Sequence, residues 1–511
     1  MRQYETIEFC YTAPAPEGSE AAVNLQAEFI HEREPTVVKG FYAGSQTYIV
    51  RFLPSKAGEY QYRVFGIVNA SGSFFAEPTA GSHGMVQAEG RHFRYQDGTS
   101  YLPVGTTVYA LVHQTEELIE ETMDTLKHSP FNKIRLCVFP KNYLYNRNEP
   151  LYYPFEKDAA GQWDVHHPCF AYWDFLEKQL RRLADMGIQA DLILFHPYDR
   201  WGFDSLTQEE NKVYLDYLLR RLSALPGMWW SMANEYDLSP SKSLADWHEL
   251  EEFTAENDPY HHLLSVHNCY AFYDYNRPAV THVSIQVKTL ARLAEWREAY
   301  PGKPVMVDEC CYEGDLPAQW GCLSGREMTA RFWRAYTNGA YCTHGETFLD
   351  EEKEVVWWAK GGRLKGESPA RIGFLKSVFE ELGPVEPVKN AYFTLLTRKG
   401  EELTEELLAE LPKEQHAMYR AMFAMNEQER QRYSEYQWIY QGHVGEEAFL
   451  RYYDWRCCAE DTLELPENKE YRIEVIDTWE MTREVIQTRA SGKVRIKLPG
   501  REGIAVLARA V

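Results

Sequence analysis

The chain has 511 residues, 44% of them apolar, and a formal charge of −22 at pH 7. That length exceeds what one hydrophobic core serves, so two or three domains are expected. So acidic a chain excludes a polyanion as natural partner, whether nucleic acid or the anionic face of a membrane, and favours a neutral ligand.

Residues 1–90 alternate apolar and polar positions in short runs, among them Val23 to Phe29, Gln46 to Phe52 and Gly58 to Phe65, broken by Pro, Gly and Ser. Such period-two patterning predicts an antiparallel β-sandwich. The sequence carries 14 Trp, 34 Tyr and 24 Phe, enough for barrel and sandwich cores and for a cleft that stacks rings on the C–H faces of a sugar.

From 91 to 384 the rhythm becomes strand, helix, strand. Eight apolar runs are candidate strands: Tyr101–Ala110, Lys133–Phe139, Gln189–Phe195, Met228–Ala233, Leu263–His267, His282–Val287, Val305–Asp308 and Ala340–Phe348. Amphipathic stretches with helix signals separate most of them, such as Thr115 before Glu116-Glu117. Eight alternating units predict an α/β fold built on a (β/α)8 TIM barrel; a doubly wound sheet is the rival, but no Gly-rich phosphate turn follows the first strand. Residues 385–434, rich in Glu, Leu, Met and Gln, predict a helical extension. Residues 435–511 return to alternating strands and predict a C-terminal β-sandwich.

Ten cysteines form no CxxC and no metal-ligand spacing, and the N-terminus carries charges where a signal peptide would be apolar. Reduced thiols and a cytoplasmic location are expected, with no membrane span and with self-association left open.

The chemistry concentrates at strand ends. Met228-Trp-Trp-Ser-Met-Ala delivers Asn234-Glu235, and Pro304-Val-Met-Val-Asp delivers Glu309. Two glutamates on one rim supply what glycosidic hydrolysis needs, an acid for the leaving oxygen and a carboxylate at the anomeric centre; a separation of about 5 Å would mean retention. Either residue could instead be a local cap. Asp308 precedes Glu309 by one position and is expected to face the other way. Glu346 adds a third rim carboxylate, as a hydroxyl binder or a salt-bridge partner, while Trp201 and the pair Trp357-Trp358 fall in loops where a ring could floor a sugar subsite. His166-His167 and His261-His262 lie outside any His-x-His ligand pattern, so neither a metal nor another cofactor is expected.

An Asn-Glu at strand four and a Glu at strand seven resemble the clan of retaining glycoside hydrolases that includes the family 5 cellulases and the β-galactosidases. The phrases His196-Pro-Tyr-Asp-Arg-Trp-Gly-Phe203, Trp230-Ser-Met-Ala-Asn-Glu-Tyr-Asp237 and Gly366-Glu-Ser-Pro-Ala-Arg371, flanked by two β domains, are similar to bacterial glycosidase-like proteins with an apiosidase-like barrel. This resemblance implies Glu235 as acid/base and Glu309 as nucleophile. It implies Arg135 as the arginine that bonds the nucleophile and Asn234 as a sugar-hydroxyl ligand; His196, His267 and Asn268 stand at strand ends, as sugar-binding or structural residues. At strand six the clan carries Tyr or His, whereas this chain has Gln286, which can hydrogen-bond but not supply a comparable proton. The expected activity is retaining hydrolysis of a small, β-linked carbohydrate; an inactive sugar-binding barrel and a metal-dependent barrel hydrolase are the alternatives.

Overall fold

Alternation sets the N-terminal architecture. The strand Leu25–His31 buries every second side chain within an antiparallel sheet in the order Glu34–Lys39, Leu25–His31, Gly58–Gly66, Ala70–Ala76. A second sheet pairs Ile7–Thr12, Thr47–Phe52 and Phe41–Tyr42. Between them lies a core of Leu25, Phe29, Tyr48, Val50, Phe52 and Tyr60, with the Phe29 and Phe52 rings stacked 4.0 Å apart. This is the expected sandwich. The structure is a computed structural model and describes residues 1–350, 354–388, 404–426, 428–429 and 439–511.

The barrel strands are β1 (Gly105–Thr107), β2 (Lys133–Cys137), β3 (Gln189–Phe195), β4 (Met228–Ala233), β5 (Leu264–Ser265), β6 (Val283–Gln286), β7 (Val305–Glu309) and β8 (Tyr341–His344). They form one parallel sheet in the order β5-β4-β3-β2-β1-β8-β7-β6, and an isolated parallel bridge from His267 to Ser284 spans the remaining gap. Each of the eight expected strands is present, shorter than its apolar run in most cases. Helices α1 (Glu116–Lys127), α2 (Phe170–Asp185), α3 (Gln208–Leu222) and α4 (Leu244–Asn257) follow the early strands. Their starts obey capping chemistry: the Thr115 hydroxyl accepts from Leu118 N–H, and Thr207 with Glu210 and Ser243 with Asp246 close capping boxes. A small sheet, Val86–Glu89, His92–Tyr95 and Ser100–Tyr101, sets Phe93 against Trp229, His282 and Tyr341 at the N-terminal ends of the barrel strands.

By its contacts the chain falls into two units, one of Met1–Val287, Tyr300–Gly325 and Tyr341–Gly373, the other of Lys288–Ala299, Arg326–Ala340 and Phe374–Val511. Every barrel strand belongs to the first, whereas α5 (Leu293–Ala299), most of α6 (Gly325–Thr337) and the end of α8 (Ser368–Leu382) group with the second. In that second unit a sheet runs Glu386–Pro387, Ile439–Val444, Ala448–Tyr453, Ile504–Ala510, Tyr471–Asp477, Thr482–Ala490. With the pair Glu460–Glu464 and Lys493–Lys497 it encloses Tyr453, Tyr471, Ile473, Ile496 and Val506. Arg334 of α6 is tied to this sheet by Asp454, Nε to Oδ2 at 2.6 Å. The expected helical extension is described only in part, as Glu405–Ala409 and His416–Ala424; residues 389–403, 427 and 430–438 lie outside the described residues. Among the described residues no helix is long and apolar enough to cross a membrane.

Candidate active site

Three strand ends make the site. The segment after β1 brings Tyr109, β4 runs into Asn234-Glu235, and β7 ends on Glu309. The Tyr109 hydroxyl lies between two acceptors, Glu309 Oε1 and, 2.9 Å away, Asn234 Oδ1. The Asn234 amide in turn donates to Glu235 Oε2 at 3.3 Å, and the Tyr198 hydroxyl donates to the same oxygen. One phenol and one amide therefore join two glutamates that stand 74 positions apart in the chain.

Glu235 adopts φ 54° and ψ 56°, a left-handed conformation that costs a non-glycine residue about 1–3 kcal/mol. Its neighbours hold it there: Asn234 N–H bonds Phe195 O at the end of β3, and Tyr236 N–H bonds His267 O beyond β5. The twist turns the carboxylate back over the barrel mouth. Glu309 is re-aimed differently. The β6–β7 ladder pairs Ile285 with Val307 and then Gln286 with Glu309, skipping Asp308, and this irregularity breaks the period-two alternation. The expectation that Asp308 faces away from Glu309 is thereby corrected, because both carboxylates address Arg135: Nε lies 4.0 Å from Asp308 and Nη1 lies 3.6 Å from Glu309.

Beneath the rim Asp308 is fully compensated, by Lys133 at 2.8 Å, Ser284 Oγ at 2.6 Å and Thr343 Oγ1 at 2.8 Å. Lys133 also bonds Asp191 at 2.6 Å. These cations hold Asp308 far below the ordinary carboxylate range, against the opposing effect of burial. Glu309 has no such cage. Burial pushes its carboxyl up to about 8, with the nearby Tyr312 phenol pulling the other way. Of Asp308 and Glu309 the raised acid is therefore Glu309.

The remaining expected site residues divide. Arg135, expected to hydrogen-bond Glu309, lies instead at ion-pair distance from it, Nη1 3.6 Å from Oε1, with Nη2 3.4 Å from Asn234 Oδ1. His267 is buried inside the barrel, both ring nitrogens unpartnered, and burial with Arg135 nearby keeps it neutral. Trp201 is half-buried on the loop that carries Tyr198; its Nε1 donates to Glu149 and Arg200 covers its ring at 4.8 Å. Gln286 flanks Glu309 in the ladder and its Nε2 faces Cys269 Sγ at 3.6 Å.

Others have their polar atoms engaged within the fold. His196 Nε2 lies 3.1 Å from Phe139 O, and burial lowers the ring to about 4. Asn268 clasps the Gln286 backbone across the β5–β6 gap, its Oδ1 accepting from Gln286 N–H at 3.1 Å. Trp357, in the short α7 (Trp357–Lys360), is buried away from the rim with Nε1 donating to Thr106 Oγ1 at 2.9 Å. The ring beside the glutamates is that of Trp358, edge-on to Tyr109 at 5.6 Å. Glu346 is buried behind the rim and accepts from the backbone N–H of Lys365 and Gly366. Burial raises it to about 7, reinforced by Glu313, and with Glu313 and His344 it forms a buried trio whose ligand atoms all lie within 4.8 Å of one another.

Tyr109, Lys141, Tyr198, Tyr312 and Trp358 were not singled out from the sequence. Lys141 Nζ lies over the Tyr109 ring at 3.5 Å and the Tyr198 ring at 4.4 Å. With Tyr143 and Trp320 these rings form one aromatic cluster around Tyr109.

A (β/α)8 barrel that gathers two glutamates, an asparagine and a wall of rings at the C-terminal ends of its strands has the architecture of the glycoside hydrolases. Within that class the chain belongs to the apiosidase-like family, whose catalytic domain matches residues 87–380, more than half of the sequence. Residues 1–65 and 438–509 match two families described as domains of unknown function, DUF5060 and DUF5605. Among solved structures the chain is similar to a Bacteroides vulgatus protein whose glycoside hydrolase assignment is itself provisional, with 33% identity, a TM-score of 0.86, and 100% of this chain and 99% of that one covered. A glycoside hydrolase family 5 protein of the same organism aligns at 13% identity with a TM-score of 0.60, covering 84% of this chain and 93% of its own. A third, a glycoside hydrolase, aligns at 14% identity with a TM-score of 0.61 over 84% of this chain and 97% of its own. Likenesses so low in identity speak for the fold alone. Comparison with curated proteins gave no match.

Proposed function

We propose that the protein hydrolyses β-linked glycosides or short oligosaccharides with retention, using Glu309 as nucleophile and Glu235 as acid/base. The observation that carries this reading is the bridge Glu309–Tyr109–Asn234–Glu235, which brings both carboxyls together at the C-terminal ends of β4 and β7. In the first step Glu309 attacks the anomeric carbon while Glu235 gives its proton to the leaving oxygen. In the second Glu235 takes a proton from water, which displaces the sugar from Glu309. Asn234, fixed by Tyr109, is placed to hold a hydroxyl next to the reacting carbon. Arg135 supports the ionised form of Glu309. Because burial pushes the Glu309 carboxyl up to about 8, the productive ionisation state grows with pH, and the acidic limb of the rate profile is expected above the ordinary carboxylate range.

Aryl glycosides assayed with wild type, Glu235→Ala and Glu309→Ala test the assignment. Sodium azide should rescue Glu235→Ala and give a glycosyl azide of the substrate's own configuration, since azide replaces water in the second step. Rescue of Glu309→Ala should instead give the inverted azide. If the two products are exchanged, the roles are exchanged; if both variants turn over like wild type, the reading fails.

A further inference from the structure

Lys141 is the cation of the barrel mouth for which the sequence offered no role. It follows β2 and is 3% exposed. Its Nζ lies 3.5 Å from the ring centroid of Tyr109, 4.4 Å from Tyr198, 5.3 Å from Trp358 and 5.6 Å from Tyr143. The other two cations inside the barrel, Lys133 and Arg135, each lie within 4.0 Å of carboxylates. Lys141 alone of the three has no carboxylate at that distance among the described residues. The position is built: Asn146 Nδ2 donates to Lys141 O, and Gln114 Nε2 bonds both Asn146 Oδ1 and Ala110 O at 3.0 Å, linking the Lys141 loop to the chain just after Tyr109.

The two nearest rings are those whose hydroxyls lie on Glu309 and Glu235. A cation over a phenol face draws density from the ring and strengthens its O–H as a donor. We propose that Lys141 is a positioning residue that acts through Tyr109 and Tyr198, holding both glutamates in place and stabilising the single negative charge they exchange. This rests on the double displacement proposed above, in which the charge leaves Glu309 as the glycosyl bond forms and appears on Glu235 as its proton departs. A cation facing both phenols favours that charge at either end.

The groups that set this balance surround the ammonium on every side. Cys137 and Arg135 approach from β2, His196 from beyond β3, and Glu235 from beyond β4. Around the glutamates stand Tyr312 and Cys310 beside Glu309, and Cys269 beside Glu235. Burial lowers the amine to about 8 while Glu235 opposes this, so it carries its charge at neutral pH. With one phenol ring between the cation and each carboxyl, removing the cation should raise both carboxyls by about one pH unit.

The test compares wild type, Lys141→Met and Lys141→Arg, using kcat/KM against pH on a cleaved aryl glycoside. Expected for Lys141→Met is an upward move of about one unit in both limbs, with the limbs restored in Lys141→Arg. Unmoved limbs with only kcat reduced, or a rise in KM alone, would overturn the proposal in favour of a packing or a sugar-binding role. A second readout needs no turnover: between pH 7 and 9, where Glu309 ionises in wild type, the unfolding temperature of Lys141→Met should fall more steeply with pH than that of wild type. That excess should shrink when Glu309 is also replaced by Gln, and its undiminished persistence would count against the proposal. Absence of any glycosidase activity would remove the reading of function but leave this second measurement intact.

Discussion

Replacing Glu309 by Gln should make the protein more stable in alkali while abolishing turnover. The carboxyl stands at about 8 against 4.5 for the unperturbed group, so the fold favours the protonated form by roughly 3.5 units, or about 5 kcal/mol at 1.36 kcal/mol per unit. Water in the cleft makes this an upper bound. A raised value means stability that is fully present below pH 4.5 and lost as pH climbs through 8. Gln keeps the oxygen that accepts from Tyr109 but has no charge to bury. Thermal unfolding of wild type and Glu309→Gln followed at pH 5 and pH 9 should therefore diverge by several degrees, with the variant gaining at the higher pH. Other titrating groups are common to both proteins and drop out of the comparison. The same difference between the two proteins at pH 5 and pH 9 would refute the reasoning.

Tyr109→Phe removes the hydroxyl shared by Glu309 and Asn234, and should reduce kcat by 10- to 1000-fold with little change in KM on a reactive aryl glycoside. Arg51 joins the N-terminal sandwich to the barrel helices, with Nη2 2.6 Å from Glu177 Oε1 and Nη1 2.6 Å from Arg221 O. Arg51→Met should destabilise by about 1–3 kcal/mol, because Glu177 loses one of three arginine partners and keeps Arg221 and Arg181, read as a lower unfolding midpoint in urea. Glu346→Gln should keep its barrel intact and lose less stability than wild type between pH 6 and 8, since the group titrates near 7; a metal requirement of the trio it forms with Glu313 and His344 would show instead as a lowered unfolding temperature in both that variant and chelator-treated wild type.

What the sequence revealed was what period and strand termini encode. Eight apolar runs became eight strands, and the Asn234-Glu235 and Glu309 ends met at one rim because parallel strands of a barrel all finish on the same face. What it concealed depended on geometry finer than a period. Trp357 and Trp358 are successive residues of a helix turned about 100° apart, so one ring goes to Thr106 and the other to Tyr109 and Tyr312, and nothing in the dipeptide says which. Asp308 and Glu309 should have alternated, but a skipped pairing put both beside Arg135. Gln286 seemed to leave Glu309 without a phenol; Tyr109 and Tyr312, from the segments after β1 and β7, stand beside it from elements the strand-six position does not predict.

The site can also be found without any resemblance, from where the barrel leaves its physical demands unmet. Below the rim every charge is answered: Lys133, Asp191 and Asp308 form a closed set with Ser284 and Thr343. At the rim three demands stand open together. Glu235 is held in a left-handed backbone, Glu309 is buried with no hydrogen-bonded cation, and Lys141 sits among rings without a carboxylate within 4.0 Å. A fold selected for stability alone would relax each of them, since a glycine, a glutamine and a methionine would be the cheaper choices at those positions. Their convergence around Glu235 and Glu309 fits the double displacement proposed above, whose transition state carries charge that such groups can answer. Glu235→Gly and Glu309→Gln should accordingly be tolerated or stabilising in the fold at alkaline pH while each reduces turnover, and Lys141→Met should be tolerated there once Glu309 is also replaced by Gln; a barrel that lost stability with all three would place these residues in its scaffold rather than in its chemistry.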